Sequence, residues 1–442
     1  MKSKKIITVI IIFLLIALMT FTISGCKSSK NTETQNQTEK LSDQSTEKET
    51  EEKTSVEVST GEEEKAEENK TSEAETTKSE ADTNYTYSKP KLTDDGWDVA
   101  DLDEKGVNKE MLSDLIVQIK KGKYQNIHSI VIVKEGKLVF EEYFGGYGFS
   151  LYGDKFRGTY IDFNADITHD LASVTKIITA TLAGIAIDND FIKSVNEKII
   201  DFFPEYSKLF DKEKSKITVE NLLTMTSGLK WNEMDAYSSD ENDYSKLYSS
   251  ADPIEYLLSK PMANKPGTKW YYSSGDVTLL GEIIYKATGK KVDDFSREYL
   301  FDPLGITNAY WLYMKNNIVS TAGGLMMRPR DMAKIGYLYL NNGKWLDKQI
   351  LSEDWIKAST RGFIQVPEGE WTDWHGHESG YQWFLRTDDV NSIKVDSLVR
   401  TGWGGQRIIA YPGLNTVVVL TGGNYATYDY ANDLAMLKDY IL

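Results

Sequence analysis

Ser173 and Lys176, in the run His169-Asp170-Leu171-Ala172-Ser173-Val174-Thr175-Lys176, are the pair whose types and spacing best suit covalent chemistry. A serine hydroxyl is a weak nucleophile until its proton is taken, and a lysine takes it once burial disfavours the ammonium form. The following run, Ile177 to Ile187, is apolar nearly all round, which predicts a buried helix and supplies that burial. With Ser173 opening the helix, residues three apart share a face within about one turn. Free N–H groups and the positive end of a dipole at a helix start also suit an oxyanion. The plain alternative is a capping serine and a surface lysine, and the pair alone does not separate the two.

A second stretch, Pro266-Gly267-Thr268-Lys269-Trp270-Tyr271-Tyr272-Ser273-Ser274-Gly275-Asp276, runs from a turn through aromatics into a helix. Such a loop can hold the Tyr272 hydroxyl at a cleft, where a tyrosinate beside a lysine is a workable general base. The competing use is a core tyrosine with its hydroxyl bonded. A third stretch, Arg400-Thr401-Gly402-Trp403-Gly404-Gly405-Gln406, carries glycines that let backbone approach a ligand and leave an N–H pointing at it. It also reads as an ordinary glycine-rich turn.

The elements that must position these residues follow from periodicity. Val107 to Lys121 reads as a helix, with Met111, Leu112, Leu115, Ile116 and Ile119 on one side. Ile127 to Val133 and Lys137 to Tyr143 flank Glu135-Gly136 as a β-hairpin. Helices are expected over Ile217 to Thr226 (Thr218 as N-cap, Gly228 as terminator), Asp276 to Thr288 (ending at Gly289) and Arg330 to Leu340. Ile408 to Tyr411 and Thr416 to Leu420 form a second hairpin about Pro412-Gly413, and Ala431 to Ile441 a closing helix. Strands at both ends with helices between predict an α+β fold. An antiparallel sheet drawn from both termini is flanked by helices, with a mostly helical insertion beside it.

The chain has 442 residues and a formal net charge of −16, which argues against a nucleic-acid partner. Its one cysteine, Cys26, excludes an intrachain disulfide. Cys26 follows Lys2, Lys4 and Lys5, an apolar run from Ile6 to Ile23, and the small residues Ser24 and Gly25. That order predicts a lipoprotein signal over residues 1–25, cut before a lipidated Cys26; an uncleaved transmembrane anchor is the alternative. Either places the bulk of the chain outside the cytoplasm, attached to the cell membrane. Lys27 to Asp82 holds 17 Asp and Glu against 8 Lys, with no aromatic residue. Such a run cannot bury enough apolar area to order itself, so residues 26–84 are expected to be a disordered acidic tether reaching roughly 40 Å. Setting aside that run and the three N-terminal lysines, the rest of the chain still carries −10 of the −16. Residues 85–442 are then the folded domain.

Taken together, the three stretches resemble the serine β-lactamase and penicillin-binding-protein superfamily. Its class C branch, with 6-aminohexanoate-dimer hydrolase and EstB-type esterases, is the most similar. Thr218 to Leu229, Ala322-Gly323-Gly324-Leu325-Met326-Met327-Arg328-Pro329-Arg330-Asp331 and Gly402-Trp403-Gly404-Gly405-Gln406 add to the likeness. The resemblance implies Ser173 as nucleophile, Lys176 as its lysine, Tyr272 as the tyrosine of a Tyr-x-Asn motif, and an oxyanion hole of the Ser173 and Trp403 N–H groups. Ser274, Arg400, Thr401 and Gly402 would meet the substrate. Ser274 stands where class C β-lactamases have Asn, and Arg400 where they have Lys or His. Both departures point away from β-lactam turnover, although an arginine can grip a substrate carboxylate bidentately.

The expected function is therefore an extracytoplasmic serine hydrolase cleaving a small-molecule ester or amide, without cofactor or metal. A D-Ala carboxypeptidase or β-lactamase is the rival enzyme, and a non-catalytic surface sensor the rival outside enzymes. There is no Gly-x-Ser-x-Gly elbow for a Ser-His-Asp hydrolase. His375-Gly376-His377 supplies two metal ligands where zinc needs three or four. Tyr237, Tyr244, Tyr248, Trp371, Trp374 and Trp383 are candidates for an acyl pocket, or for the core.

Overall fold

The computed structural model describes residues 84–149, 158–367, 377–390, 392–425, 436 and 439–441. All belong to one compact unit spanning Thr76–Leu442. The signal segment, Cys26, the acidic run up to residue 83, Trp371, Trp374 and His375 lie outside the described residues, as does most of the expected closing helix, of which Met436, Asp439 and Tyr440 are helical.

The elements used below are, in chain order, β1 (Asp98–Val99), α1 (Lys109–Lys120), β2 (Ile127–Lys134), β3 (Lys137–Tyr143), β4 (His169–Asp170), α2 (Thr175–Asp188), α3 (Val219–Leu223), α4 (Ser274–Thr288), β5 (Tyr310–Trp311), β6 (Leu325–Met327), α5 (Pro329–Leu340), β7 (Ile364–Gln365), β8 (Glu378–Ser379), β9 (Phe384–Val390), β10 (Ile393–Gly402), β11 (Gln406–Tyr411) and β12 (Thr416–Gly422). Nine strands form one sheet in the order β1-β3-β2-β12-β11-β10-β9-β8-β7. Only the β1/β3 edge is parallel. The N-terminal hairpin meets the C-terminal one where β2 pairs with β12, Val131 opposite Val419. The expected α+β sheet built from both ends is what forms.

Both faces of this sheet are covered, which explains why its central strands read as continuous apolar runs. Alternation divides them. Ile130, Ile132, Val418 and Leu420 pack with Leu112, Leu115, Ile116 and Ile119 of α1. Val131, Val133, Val417 and Val419 face the larger core with α2, α4 and α5. Within that core α2 is buried from Thr175 to Ala186 and packs along α4. β4, β5 and β6 form a small second sheet, which fixes the chain just before Ser173.

Two expectations are corrected. The helix over Ile217 to Thr226 is only α3, Val219–Leu223. Thr218 and Asn221 make a reciprocal capping box at its start, but Met225 turns left-handed (φ 54°) and ends it. Gly228 lies in the following loop, where a Cβ would sit 2.3 Å from the Asn264 carbonyl oxygen. Arg400 is not in a turn but in β10, a ten-residue strand inside the sheet. Among the described residues no helix is long and apolar enough to cross a membrane.

His128 of β2 and His169 of β4 stack on Phe163 at 4.1 and 4.4 Å between ring centroids. Burial pushes His128 down to about 4 and His169 well below its ordinary value. Between pH 6.5 and about 4 the unfolded chain therefore binds protons that the folded one refuses, and stability falls as the pH drops through that window. For His128 the loss is on the order of 3 kcal/mol by pH 4. Urea unfolding at pH 7 and pH 5 checks this: the wild type must lose more on acidification than His128→Asn, and equal losses refute it.

Candidate active site

Ser173 sits in a 3₁₀ turn, Ala172–Val174, between β4 and α2, so the α-helix opens two residues after the nucleophile candidate. The turn is held from both sides. Leu171 N–H donates to the Leu325 carbonyl of β6 at 3.0 Å, and Ala172 N–H to Asp170 Oδ1 at 2.9 Å. Ala172 adopts φ 43°, a left-handed conformation that costs a residue with a Cβ and persists only where its surroundings impose it.

Lys176 lies one turn on, on the same face, and is 1 % exposed. Its Nζ donates to Ser173 Oγ at 3.0 Å and to the Ala322 carbonyl at 2.7 Å. The Ala322-to-Asp331 motif thus seats the lysine with its first carbonyl, and pins the Ser173 turn with that of Leu325. Burial pushes Lys176 down to about 7; Glu233 raises it and Arg400 lowers it. Tyr272 comes from the loop before α4, its hydroxyl 2.5 Å from Ser173 Oγ. The loop is fixed by Tyr271 N–H on the Met225 carbonyl and by Ser273, which caps α4 through the Asp276 N–H. Burial pushes the Tyr272 phenol up. Ser173, Lys176 and Tyr272, singled out from three separate stretches, therefore meet at one hydroxyl.

The four residues expected to meet substrate are placed differently. Arg400 is buried, with Nε donating to the Ser173 carbonyl at 2.9 Å and Nη1 to the Gln382 carbonyl at 3.1 Å. Its guanidinium lies 5.4 Å from the Phe384 ring centroid, and burial lowers it to about 10. Two of its nitrogens hold backbone, Nε the nucleophile's own peptide and Nη1 that of Gln382, and Nη2 is buried without a hydrogen-bond partner among the described residues. Ser274 is also fully buried, donating from Oγ to Glu233 Oε1 at 2.5 Å. Thr401 is buried in β10. At Gly402 a Cβ would lie 2.4 Å from the Leu171 carbonyl oxygen and 3.2 Å from Ser173 N, so only glycine lets β10 approach the turn.

Trp403, next in chain, is half-buried and carries an aromatic cluster: Phe149 and Tyr237 at 5.4 Å and Tyr425 at 5.5 Å. Tyr237 in turn meets Tyr244 at 6.2 Å. Trp383 belongs to the core against Tyr339, and Tyr248 bonds the Tyr313 carbonyl. Among the described residues no group of three or more His, Cys, Asp or Glu side chains is arranged to hold a metal.

Glu233 was not visible as a site residue in the sequence. Its carboxylate, 2 % exposed, accepts from Trp231 Nε1 at 2.8 Å and from both the N–H and the hydroxyl of Ser274. It lies 41 residues from Ser274, and no local pattern marks it as buried.

The Beta-lactamase family matches residues 125–438. Lovastatin esterase of Penicillium rubens is 27 % identical over 194 residues, 39 % of this chain and 46 % of that one. N-acetylmuramyl-L-alanine amidase of Bacillus subtilis is 28 % identical over 192 residues, 41 % of this chain and 42 % of that one. The chain thus spans less than half the length of these relatives. Simvastatin synthase of Aspergillus terreus superposes with a TM-score of 0.57 at 17 % identity, over 75 % of this chain and 97 % of that one, a likeness of fold. With a match over most of its length and a Ser173–Lys176–Tyr272 cluster on the matching fold, the chain belongs to the Beta-lactamase family.

Proposed function

We propose that this protein is a serine hydrolase that cleaves an ester or amide through an acyl-enzyme on Ser173. The observation that carries the reading is that Ser173 Oγ lies within hydrogen-bond reach of both Lys176 Nζ and Tyr272 Oη. Near neutral pH a lysine with its pKa at about 7 is partly the free amine, while the tyrosine, pushed up by burial, is a phenol. Lys176 is then the base, and Tyr272 relays the proton. Ser173 Oγ bonds to the substrate carbonyl carbon as its proton leaves. The N–H groups of Ser173 and Trp403 hold the oxyanion, and the leaving group departs with a proton returned through Tyr272. Water repeats the sequence to release the acid.

Relatives named for an esterase and an amidase support an ester or amide as substrate. The aromatic residues around Trp403 suit an apolar acyl group. Arg400, engaged with backbone, offers no bidentate grip on a carboxylate, which disfavours the β-lactamase and D-Ala carboxypeptidase readings. Slow nitrocefin hydrolysis at most is expected; a kcat/KM above about 10⁶ M⁻¹s⁻¹, well inside the range of efficient enzymes, would contradict this. A panel of short-chain esters, aminohexanoate oligomers and D-Ala peptides, followed by intact mass spectrometry, tests the reading as a whole. A folded protein that never acylates would favour a sensor.

The location is part of the same proposal. The Lys2, Lys4 and Lys5 region, the apolar run and Cys26 support a lipid anchor outside the cytoplasm, with the acidic run as tether. Cys26→Ala should stay unprocessed or leave the membrane fraction; a variant that still carries lipid would sink the anchor.

A further inference from the structure

Two cationic side chains, Lys176 and Arg400, are buried on either side of the Ser173 turn, the first on its hydroxyl and the second on its carbonyl. Burying two like charges together is unfavourable unless an anion is buried with them. Among the described residues, the carboxylate that acts on Lys176, Arg400 and Tyr272 alike is Glu233. It is held by three neutral donors, the indole N–H of Trp231 and the N–H and hydroxyl of Ser274. A carboxylate so held cannot swing out to solvent.

We infer that Glu233 is a positioning residue of this site: through Ser274 it locks the end of the Tyr272 loop, and its carboxylate is the counter-charge to the buried Lys176 and Arg400 side chains. The consequence for catalysis rests on the acyl-enzyme reading above; the charge effect does not. Position 274 then has a task that its place in the motif does not suggest, since its side chain anchors a counter-charge.

The signs are definite. A negative charge favours the ammonium of Lys176 and disfavours the phenolate of Tyr272, so it raises both. Arg400, on β10, acts on both in the opposite sense. Asp276, on α4 and bonded to Ser227 and Ser273, is pushed up to about 7 by burial, with Glu233 adding to the rise. Removing the Glu233 charge must therefore lower Lys176 and Tyr272 together, whichever of them takes the serine proton.

The test uses the full chain with lysine ¹³C-labelled at Cε. The Lys176 signal is identified by its absence in Lys176→Ala and followed by NMR against pH. In Glu233→Gln the Lys176 midpoint should fall by about one pH unit, a tenfold change in proton affinity. The acid limb of Ser173 labelling by a fluorophosphonate should move down with it. Ser274→Ala, which removes one hydrogen bond and keeps the charge, should leave the midpoint in place. An unmoved midpoint in a folded Glu233→Gln overturns the inference, even if labelling slows, because a purely structural role would slow labelling at every pH. If that variant does not fold, Glu233→Asp draws the charge back by one methylene and should shift the midpoint the same way by less; an unmoved midpoint there overturns it equally. A Lys176 midpoint that responds to Glu233 in a protein whose Ser173 never labels would uphold the charge effect and sink the hydrolase reading.

Discussion

Ser173→Ala is expected to lose fluorophosphonate labelling and turnover together, with activity falling by roughly 10⁴-fold or more. The size is that expected when the nucleophile of an acyl-enzyme mechanism is removed. Ser173 Oγ is the atom on which both the Lys176 and Tyr272 contacts converge. Its N–H belongs to a turn held by Leu325, Asp170 and Arg400, so the substitution removes the hydroxyl and leaves that frame standing. Unfolding temperature and circular dichroism should therefore change little. Intact mass spectrometry after brief exposure to a slow ester should show a mass increment in the wild type and none in the variant. Turnover surviving in Ser173→Ala would end the acyl-enzyme mechanism.

Lys176→Ala and Tyr272→Phe are each expected to lower kcat by roughly 10² or more, the contribution of a positioned acid–base group. The double variant should lose less than the product of the single losses, because the two side chains serve one proton transfer through one hydroxyl. A strictly multiplicative loss would mean that they act independently. The pH profile separates their roles. A lysine lowered to about 7 by burial gains free amine as pH rises, so kcat/KM should climb through neutrality and level off above it. A limb near 7 is easily mistaken for histidine, yet His128 and His169 are stacked on Phe163 and bond neither Ser173, Lys176 nor Tyr272 among the described residues. The limb should persist in His128→Asn and vanish in Lys176→Ala. Tyr272→Phe should keep the limb, because the amine remains, while losing the relay.

What the sequence determined by itself is what depends on near neighbours. The apolar run after Lys176 specifies a helix buried all round, and a spacing of three keeps residue 173, in the turn that leads into it, within about one turn of residue 176. Ser273 ahead of Ser274-Gly275-Asp276 starts α4 and so delivers Tyr272 at a helix entrance. The apolar runs of β2, β11 and β12 specify strands, and their lack of polar alternation already implies a sheet covered on both faces. Motif order across three stretches was enough to suggest one site.

Tertiary structure alone decided how those pieces are charged and aimed. The contacts that build the site join residues 41, 99, 146 and 227 apart: Ser274 to Glu233, Tyr272 to Ser173, Lys176 to Ala322 and Arg400 to Ser173. No periodicity reports on such distances. Arg400 reads as a ligand-gripping residue because arginine is the fitting side chain for a carboxylate. Only its place in β10, against the Ser173 turn, shows that backbone carbonyls take its Nε and Nη1 donors. Glu233 was silent for the same reason, since a glutamate after Asn232 is an ordinary surface residue until a loop 41 residues on folds over it. The pKa of Lys176 belongs wholly to this level, because burial, Glu233 and Arg400 act through space and their balance exists only once the chain has closed around Ser173.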